Sequence, residues 1–324
     1  MNAPLRWGYL GASRIGRRAL APAMLDAGQT LRAVAARDLA RAEAFAGEFG
    51  FRRAYGSYAA LLDDRDVDAV YIALTNDRHI QWVLAALAAG KHVLCEKPLA
   101  LNAGEVACMI AAAAASGRLL AEAFGYRFNP QILRLREVLA SGVLGDPVSA
   151  HVSFGATLPP EDFRWSAALG GGALYDLGCY CVDLLRTVAG AEPVGVAAFH
   201  HMRGDVDAST AGILEFPSGM LGNFSCSFAA ARSQHLAVAA QHGALTLDWP
   251  IAPREPRVTL RVNDRVENFG PGDPYRAMVA HFAAAARGDM PPEYPLSHSL
   301  AQARTLDALF EAGRTRSVVA LPTG

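Results

Sequence analysis

"LRWGYLGASRIG", Leu5 to Gly16, carries the reading of the fold. Its first part, "LRWGYLGA" (Leu5 to Ala12), reads as a β-strand entering a glycine-bearing turn. Ile15 to Ala27 then reads as a helix and "TLRAVAA" (Thr30 to Ala36) as the next strand. Leu39 to Phe49 places Ala, Phe and Leu at i, i+3 and i+4 spacing, the mark of an amphipathic helix. "VDAVYIAL" (Val67 to Leu74) is a mostly apolar, β-rich run suited to a strand covered on both faces. Ile80 to Ala89 reads as a helix, Lys91 to Cys95 as a strand, Gly104 to Ala115 as a helix and Arg118 to Phe124 as a further strand. Repeated βα units of this kind predict a doubly wound parallel sheet over residues 1–124.

The pattern changes after Phe124. A helix is expected over Pro130 to Ala140, followed by strands at Val148 to Phe154, Pro193 to His200, Thr210 to Phe216, Gly219 to Phe228, His235 to His242 and Ala244 to Trp249. Most of these strands follow one another without helices, which predicts a large, mostly antiparallel sheet in an α+β domain over residues 125–324. Helices interrupt near Ala173 to Val188, Tyr275 to Arg287 and Leu300 to Arg314.

Composition bounds the function. Lys plus Arg is 30 and Asp plus Glu is 31, so the net charge is −1 and no basic excess or basic run points to nucleic acid. Five cysteines, an odd number, lie in apolar stretches, which predicts reduced, buried thiols rather than a disulfide framework. Cys179 and Cys181 lack a second Cys or His pair at ligand spacing, so no metal is expected. The longest apolar run, Val106 to Ala115, is too short to span a bilayer. The start of the chain lacks the charged and apolar regions of a signal peptide, and the expectation is a soluble cytoplasmic protein.

"GASRIG" (Gly11 to Gly16) follows the first strand and opens the first helix, the context of a dinucleotide fingerprint. Gly11 permits the tight turn, Gly16 the close helix–strand packing, and the backbone N–H groups of the helix start would face a pyrophosphate. Gly11, Ser13, Arg14 and Ile15 are the expected cofactor residues of this turn, with Ser13 standing where the usual pattern has its middle glycine. The end of the second strand decides between the two nicotinamide cofactors: an acidic residue binds the ribose 2′-OH, an arginine a 2′-phosphate. Here Ala36 is followed by "RDLAR", which places Arg37 at that position and Arg41 one helical turn on, and favours NADP over NAD. Asp38 leaves two alternatives open, a ribose contact or a solvated helix start.

"GKHVLCEKPLALN" (Gly90 to Asn102) puts Glu96 and Lys97 at the C-terminal end of a parallel strand, where open α/β sheets bind their ligands. A lysine there can serve as acid or base, with Pro98 fixing the backbone; away from such a position the same residues would read as an exposed turn. In "LGGGALYDLGCYCVDLLR" (Leu169 to Arg186), Asp176 and Tyr180 are four residues apart and share a helix face. A tyrosine hydroxyl near a lysine can relay a proton to a substrate oxygen; the plain alternative is a core helix whose Asp176 bonds backbone.

Together "CEKPLA", "LTNDRH", "EAFGYRFNP", "GGGALYDLGCY" and "DPYRAMVAHFAAAARG" resemble the Gfo/Idh/MocA oxidoreductases over nearly the whole chain. The resemblance implies an N-terminal Rossmann domain and a C-terminal α+β domain whose open sheet face supports a homo-oligomer, a dimer or tetramer. It implies Lys97 as catalytic lysine and Tyr180 as its tyrosine partner, as in the xylose and dihydrodiol branch, with Asp176 beside the substrate. Thr75, Asn76 and His79 would line the nicotinamide side together with Glu96 and Lys97, and Arg37 and Arg41 look like a 2′-phosphate pair. Tyr126, Arg127, Arg164 and Trp165 would line the substrate cleft. The expectation is an NADP(H)-dependent oxidoreductase acting on a sugar, polyol or related diol or carbonyl. A non-catalytic nucleotide or sugar sensor and an NAD-dependent cyclitol dehydrogenase stand as alternatives.

Overall fold

The computed structural model describes residues 3–253, 258–270 and 272–322. The chain forms two compact units, Met1–Gly125 with Asp273–Leu300 and Tyr126–Gly272 with Ala301–Gly324.

In the first unit, strands β1 (Arg6–Leu10), β2 (Thr30–Ala35), β3 (Arg53–Tyr55), β4 (Ala69–Ile72), β5 (His92–Cys95) and β6 (Leu120–Glu122) alternate with helices α1 (Ala21–Asp26), α2 (Leu39–Phe49), α3 (Tyr58–Leu62), α4 (His79–Ala88) and α5 (Ala103–Ser116). The six strands form one sheet in the order β3-β2-β1-β4-β5-β6, and every neighbouring pair is parallel. All four residues of β4 are buried, as a strand covered on both faces requires. The chain runs outwards from β1 in both directions, so the connections leaving β1 and β4 part at the centre of the sheet. That parting is the switch point at which open α/β sheets take their ligands. The expected first helix opens as a π-helical stretch, Gly16–Leu20, in which the Ala21 N–H bonds the Gly16 carbonyl. Pro22 has no N–H to return to the preceding turn, and a widened turn ahead of it accommodates the ring. The short α3 and β3 carry too little periodicity to be read from sequence.

The second unit opens with α6 (Pro130–Ala140) and β7 (Pro147–Thr157), followed by α7 (Cys179–Ala189) and the strands β8 (Gly195–Arg203), β9 (Val206–Glu215), β10 (Leu221–Ser227), β11 (Ala229–Ala240), β12 (Gly243–Asp248), β13 (Val258–Val262) and β14 (Arg265–Phe269). After α8 (Pro274–Ala286) and α9 (Leu296–Thr315), β15 (Val319–Ala320) completes a nine-stranded sheet ordered β14-β13-β12-β11-β7-β10-β9-β8-β15. It is antiparallel except where β7 meets β10. The strands alternate buried and exposed residues, most regularly along β10, so one face is packed and the other open. Helix α7 packs on the covered face, against β7 and β10.

One cut after residue 124 does not describe this chain, because Asp273–Leu300 belongs with the first unit. Helix α8 packs on α1, with the Phe282 ring 5.1 Å from the fully buried Trp7. An amphipathic stripe shows that a helix buries a face; it does not say against which domain. Phe282→Ala is expected to cost about 3–5 kcal/mol in denaturant unfolding of the first unit, the usual price of emptying a buried aromatic position. A change below about 1 kcal/mol would show that α8 contributes little to that core.

Candidate active site

Gly11 ends β1 with φ +105°, and a Cβ on it would lie 2.8 Å from the Ala73 carbonyl oxygen, so only glycine fits. Its N–H donates to the Ala35 carbonyl at 3.0 Å. Ser13 accepts the Gly16 N–H on Oγ at 3.0 Å, so the residue in the middle glycine's place caps the helix start. Its own hydroxyl proton is left for an acceptor at the mouth of the turn. A Cβ on Gly16 would press on Ser13 Oγ at 2.9 Å and on the Tyr9 ring at 3.2 Å, which confirms the close packing expected there. Arg14 is exposed and Ile15 half-buried at the same turn.

Arg37 and Arg41 lie exposed beyond β2. The Arg41 side chain donates from Nη2 to the Ala12 carbonyl at 3.1 Å, which ties it to the glycine turn. Asp38 accepts the Arg41 N–H at 2.8 Å, so its carboxylate serves as the cap of α2.

Thr75 and Asn76 are half-buried in the connection after β4. His79 does not line a cleft, contrary to expectation: its side chain is 0% exposed. Its Nδ1 lies 2.9 Å from the Pro98 carbonyl and its Nε2 3.3 Å from that of Leu74. Burial pushes the imidazole pKa down against these carbonyls, which favours the neutral ring. His79 therefore fastens the connection after β4 to the one after β5.

The Glu96–Lys97–Pro98 turn is pinned from several sides. The Glu96 N–H donates to the Ile72 carbonyl at 2.9 Å, and the buried Tyr71 hydroxyl donates to Glu96 Oε1 at 2.5 Å. The Leu99 N–H donates to Glu122 Oε1 at 2.9 Å, and the Lys97–Pro98 peptide is cis. Tyr275 on α8, which no sequence signal singled out, feels the charges of Glu96, Arg18 and Lys97; burial and then Glu96 push its pKa up to about 12. It remains a protonated phenol beside the turn.

In the second unit, Gly172 takes φ +116° and lies so close to the buried Asp207 that a Cβ there would collide with Oδ1. Asp207 accepts the Leu174 N–H at 2.7 Å and the Thr210 hydroxyl at 2.7 Å, and Thr210 Oγ1 also lies 2.7 Å from His200 Nδ1. Asp207 thus holds the start of a π-helical turn, Leu174–Gly178, that leads directly into α7. Asp176 pairs with Arg164 Nε at 2.9 Å, and Asp162 takes Arg164 Nη1 at 3.1 Å. Burial opposes the Arg164 charge, yet the two carboxylates outweigh it and raise its pKa. Tyr180 is half-buried, its ring edge-on to Tyr126 with centroids 5.5 Å apart and 5.9 Å from Phe154. Trp165 donates to the Pro159 carbonyl at 2.9 Å, and Arg203 stacks over its ring at 4.2 Å.

Two of the expected substrate residues prove to be core. Tyr126 and Arg127 are each 4% exposed. The Tyr126 hydroxyl donates to Asp183 Oδ2 at 2.5 Å, and Arg127 grips both oxygens of that fully buried carboxylate at 2.9 and 2.5 Å. Of the cysteines, Cys108 is exposed, whereas the other four are buried as expected. Among the described residues no group of three or more His, Cys, Asp or Glu side chains could hold a metal ion.

The strand order, the glycine turn and the residues gathered beyond β1, β2, β4 and β5 define a dinucleotide-binding domain of the Rossmann class. Residues 5–124 match the model of the oxidoreductase family with an NAD-binding Rossmann fold, and residues 132–246 match the GFO/IDH/MocA C-terminal domain. The chain belongs to the GFO/IDH/MocA oxidoreductase family. It is 38% identical to D-xylose 1-dehydrogenase (NADP(+)) 2 of Haloferax volcanii over 98% of this chain and 100% of that one. It is 39% identical to mouse trans-1,2-dihydrobenzene-1,2-diol dehydrogenase over 82% of this chain and 80% of that one. A 3-ketoreductase from Actinomadura kijaniata, solved with NADP and TDP-benzene, superposes with a TM-score of 0.90 at 30% identity, covering 96% of this chain and 98% of that one. An aldose–aldose oxidoreductase from Caulobacter crescentus shares the fold at TM-score 0.91 and 24% identity, over 98% of this chain and 100% of that one.

Arg127→Ala is expected to lower unfolding stability by about 3–5 kcal/mol, because it strands a buried carboxylate. Unchanged stability with a raised KM would instead return Arg127 to substrate binding.

Proposed function

We propose that the protein is an NADP(H)-dependent oxidoreductase that moves hydride between nicotinamide and a carbon–oxygen centre of a sugar, polyol or related diol. The observation that carries this reading is the Glu96–Lys97 turn, fixed at the end of β5 beside the switch point by Tyr71, His79 and Glu122. The glycine turn suits the cofactor: the bare Gly11 lets the end of β1 close on the Ala73 carbonyl, and Ser13 caps the helix start whose N–H groups would face a pyrophosphate. Gly11, Ser13, Arg14 and Ile15 would hold the pyrophosphate, Arg37 and Arg41 the 2′-phosphate, and Thr75, Asn76 and Glu96 the nicotinamide end. The named specificity of the Haloferax volcanii relative and the NADP in the Actinomadura kijaniata reductase support the phosphorylated cofactor. That reductase was also solved as variants replacing a lysine and a tyrosine, the two residue types assigned here.

When bound, the nicotinamide supplies the hydride acceptor or donor. Lys97 and Tyr180 act as the proton-transfer groups at the substrate oxygen, accepting the hydroxyl proton in oxidation and returning it in reduction. Asp176 acts by fixing Arg164, and these two with Trp165 form the substrate-facing set of the second unit. Much of the rate comes from positioning, which turns a bimolecular transfer into an effectively unimolecular one. We place the protein in the cytoplasm, on the reduced cysteines; no helix among the described residues is long and apolar enough to cross a membrane.

We assign a homo-oligomer contact to the open face of the nine-stranded sheet, where Phe199 is 67% and Ile213 and Leu221 are each 50% exposed.

Purified protein mixed with NADP⁺ and a panel of aldoses, cyclitols and aromatic trans-diols should produce reduced nicotinamide with at least one member. Lys97→Ala should lower that turnover by roughly 10²–10⁴ while NADPH binding survives. Near-normal turnover would remove Lys97 from the chemistry; silence with that panel, and with carbonyl compounds offered together with NADPH, while NADPH still binds, would favour a sensor. Ile213→Asp should shift the protein to monomer in sedimentation analysis; an unchanged assembly would move the contact elsewhere.

A further inference from the structure

We propose that Arg78 and Tyr58 complete the 2′-phosphate site with Arg37 and Arg41, so that Arg78 is a specificity-determining residue for NADP(H). This rests on the NADP(H) reading above and extends it to a connection, the one after β4, that ordinarily faces the other end of the dinucleotide.

The placement follows from contacts on both sides of Tyr58. The turn before it packs on the start of α2: a Cβ on Gly56 would lie 3.3 Å from the Leu39 nitrogen and 3.3 Å from its Cβ. Leu39 stands between Arg37 and Arg41 in sequence, so Tyr58 begins beside both arginines. On its other side the Tyr58 ring stands edge-on to Trp82 of α4, with centroids 5.0 Å apart. Trp82 follows Arg78, the N-cap residue of α4, by one helical turn and therefore shares its face. Three connections, after β2, β3 and β4, thus bring Arg37 and Arg41, Tyr58, and Arg78 to one place.

The electrostatics agree with the contacts. Burial raises the Tyr58 pKa, while the charges of Arg37, Arg41 and Arg78 all act on the phenol in the opposite sense; burial prevails and the group remains an O–H donor. Arg78 is held but not consumed. Its Nη1 donates to Gln81 Oε1 at 3.3 Å and its Nε lies 3.3 Å from Asp77 Oδ2, which leaves Nη2 uncommitted. The side chain is 59% exposed, so a ligand can reach it. Asp77 offsets part of its charge, and the Asp38 carboxylate is occupied in capping α2. Three guanidinium groups and a phenol donor around a shared floor suit a phosphomonoester dianion, whereas a ribose hydroxyl offers no charge to match them.

The test is fluorescence titration of NADPH and, separately, NADH against the full-length wild type, Arg78→Ala, Tyr58→Phe and, as a control for the NADP(H) reading, Arg37→Ala. Arg78→Ala should weaken NADPH roughly tenfold, the loss of one charge-assisted phosphate contact, and leave NADH within about twofold. Tyr58→Phe should lower NADPH affinity a few-fold, again sparing NADH, and the wild type's preference should shrink as salt is raised. If Arg78→Ala leaves NADPH binding unchanged, or weakens both cofactors equally, while Arg37→Ala loses NADPH selectively, the inference falls and the NADP(H) reading stands. If the wild type and Arg37→Ala bind both cofactors alike, the NADP(H) reading falls and takes the inference with it.

Discussion

No atom can be added at position 11. The Ala73 carbonyl already stands 2.8 Å from where a Cβ would be, and the backbone there takes a φ of +105°. That approach joins the ends of β1 and β4 at the centre of the sheet, where the chain's two outward runs begin. The consequences pass down through the sheet as well as up to the ligand. Tyr9, two residues before Gly11, packs on Tyr71 with ring centroids 4.9 Å apart. Tyr71 in turn holds Glu96 through its hydroxyl. The turn that would cradle phosphate and the turn that carries Lys97 are therefore two ends of one buried aromatic layer.

Much of this was legible in the sequence because it rests on local rules. The mostly apolar β4, the glycine turn and the capped α2 each declare their structure within a few residues, and the parallel six-stranded sheet follows from their alternation. The mostly antiparallel second sheet was legible for the same reason, through strands that alternate without helices. Expectation failed where a residue's partner is distant in the chain. Arg127 finds Asp183 across 56 positions, and nothing near either residue announces the pair. His79 is a cleft residue by the family resemblance, yet its ring is fully buried, with a backbone carbonyl near each nitrogen. Tyr275 falls in the quoted "DPYRAMVAHFAAAARG" stretch without being picked out, and Asp207 carries no local mark; each matters through what a distant segment places against it.

The same contrast separates buried from accessible charge in the second unit. Asp183 and Arg127 are buried, and each is tolerated because the other, with the Tyr126 hydroxyl and Arg186, compensates it. Arg164 and Asp176 keep side-chain exposures of 27% and 19%, enough for a ligand to compete for their hydrogen bonds. Composition treats the two Arg–Asp pairs alike, and solvent access distinguishes the structural one from the chemically available one.

These two pairs also bracket Tyr180. Asp176, Tyr180 and Asp183 are spaced i, i+4 and i+7, a single stripe that runs from the half-open π-helical turn into the buried part of α7. Asp176 is tied to Arg164 at one end of the stripe, and Asp183 to Arg127 and Tyr126 at the other. The Tyr180 ring then rests edge-on against Tyr126, whose own hydroxyl is spent on Asp183. The Tyr126 and Phe154 rings flank Tyr180 on its buried side. The proton-transfer role proposed for Tyr180 would need such restriction, because that role depends on being within hydrogen-bond reach of one atom when the reaction occurs. On the proposed role, the buried Asp183 cluster would serve the reaction by positioning the half-buried end of the same helix.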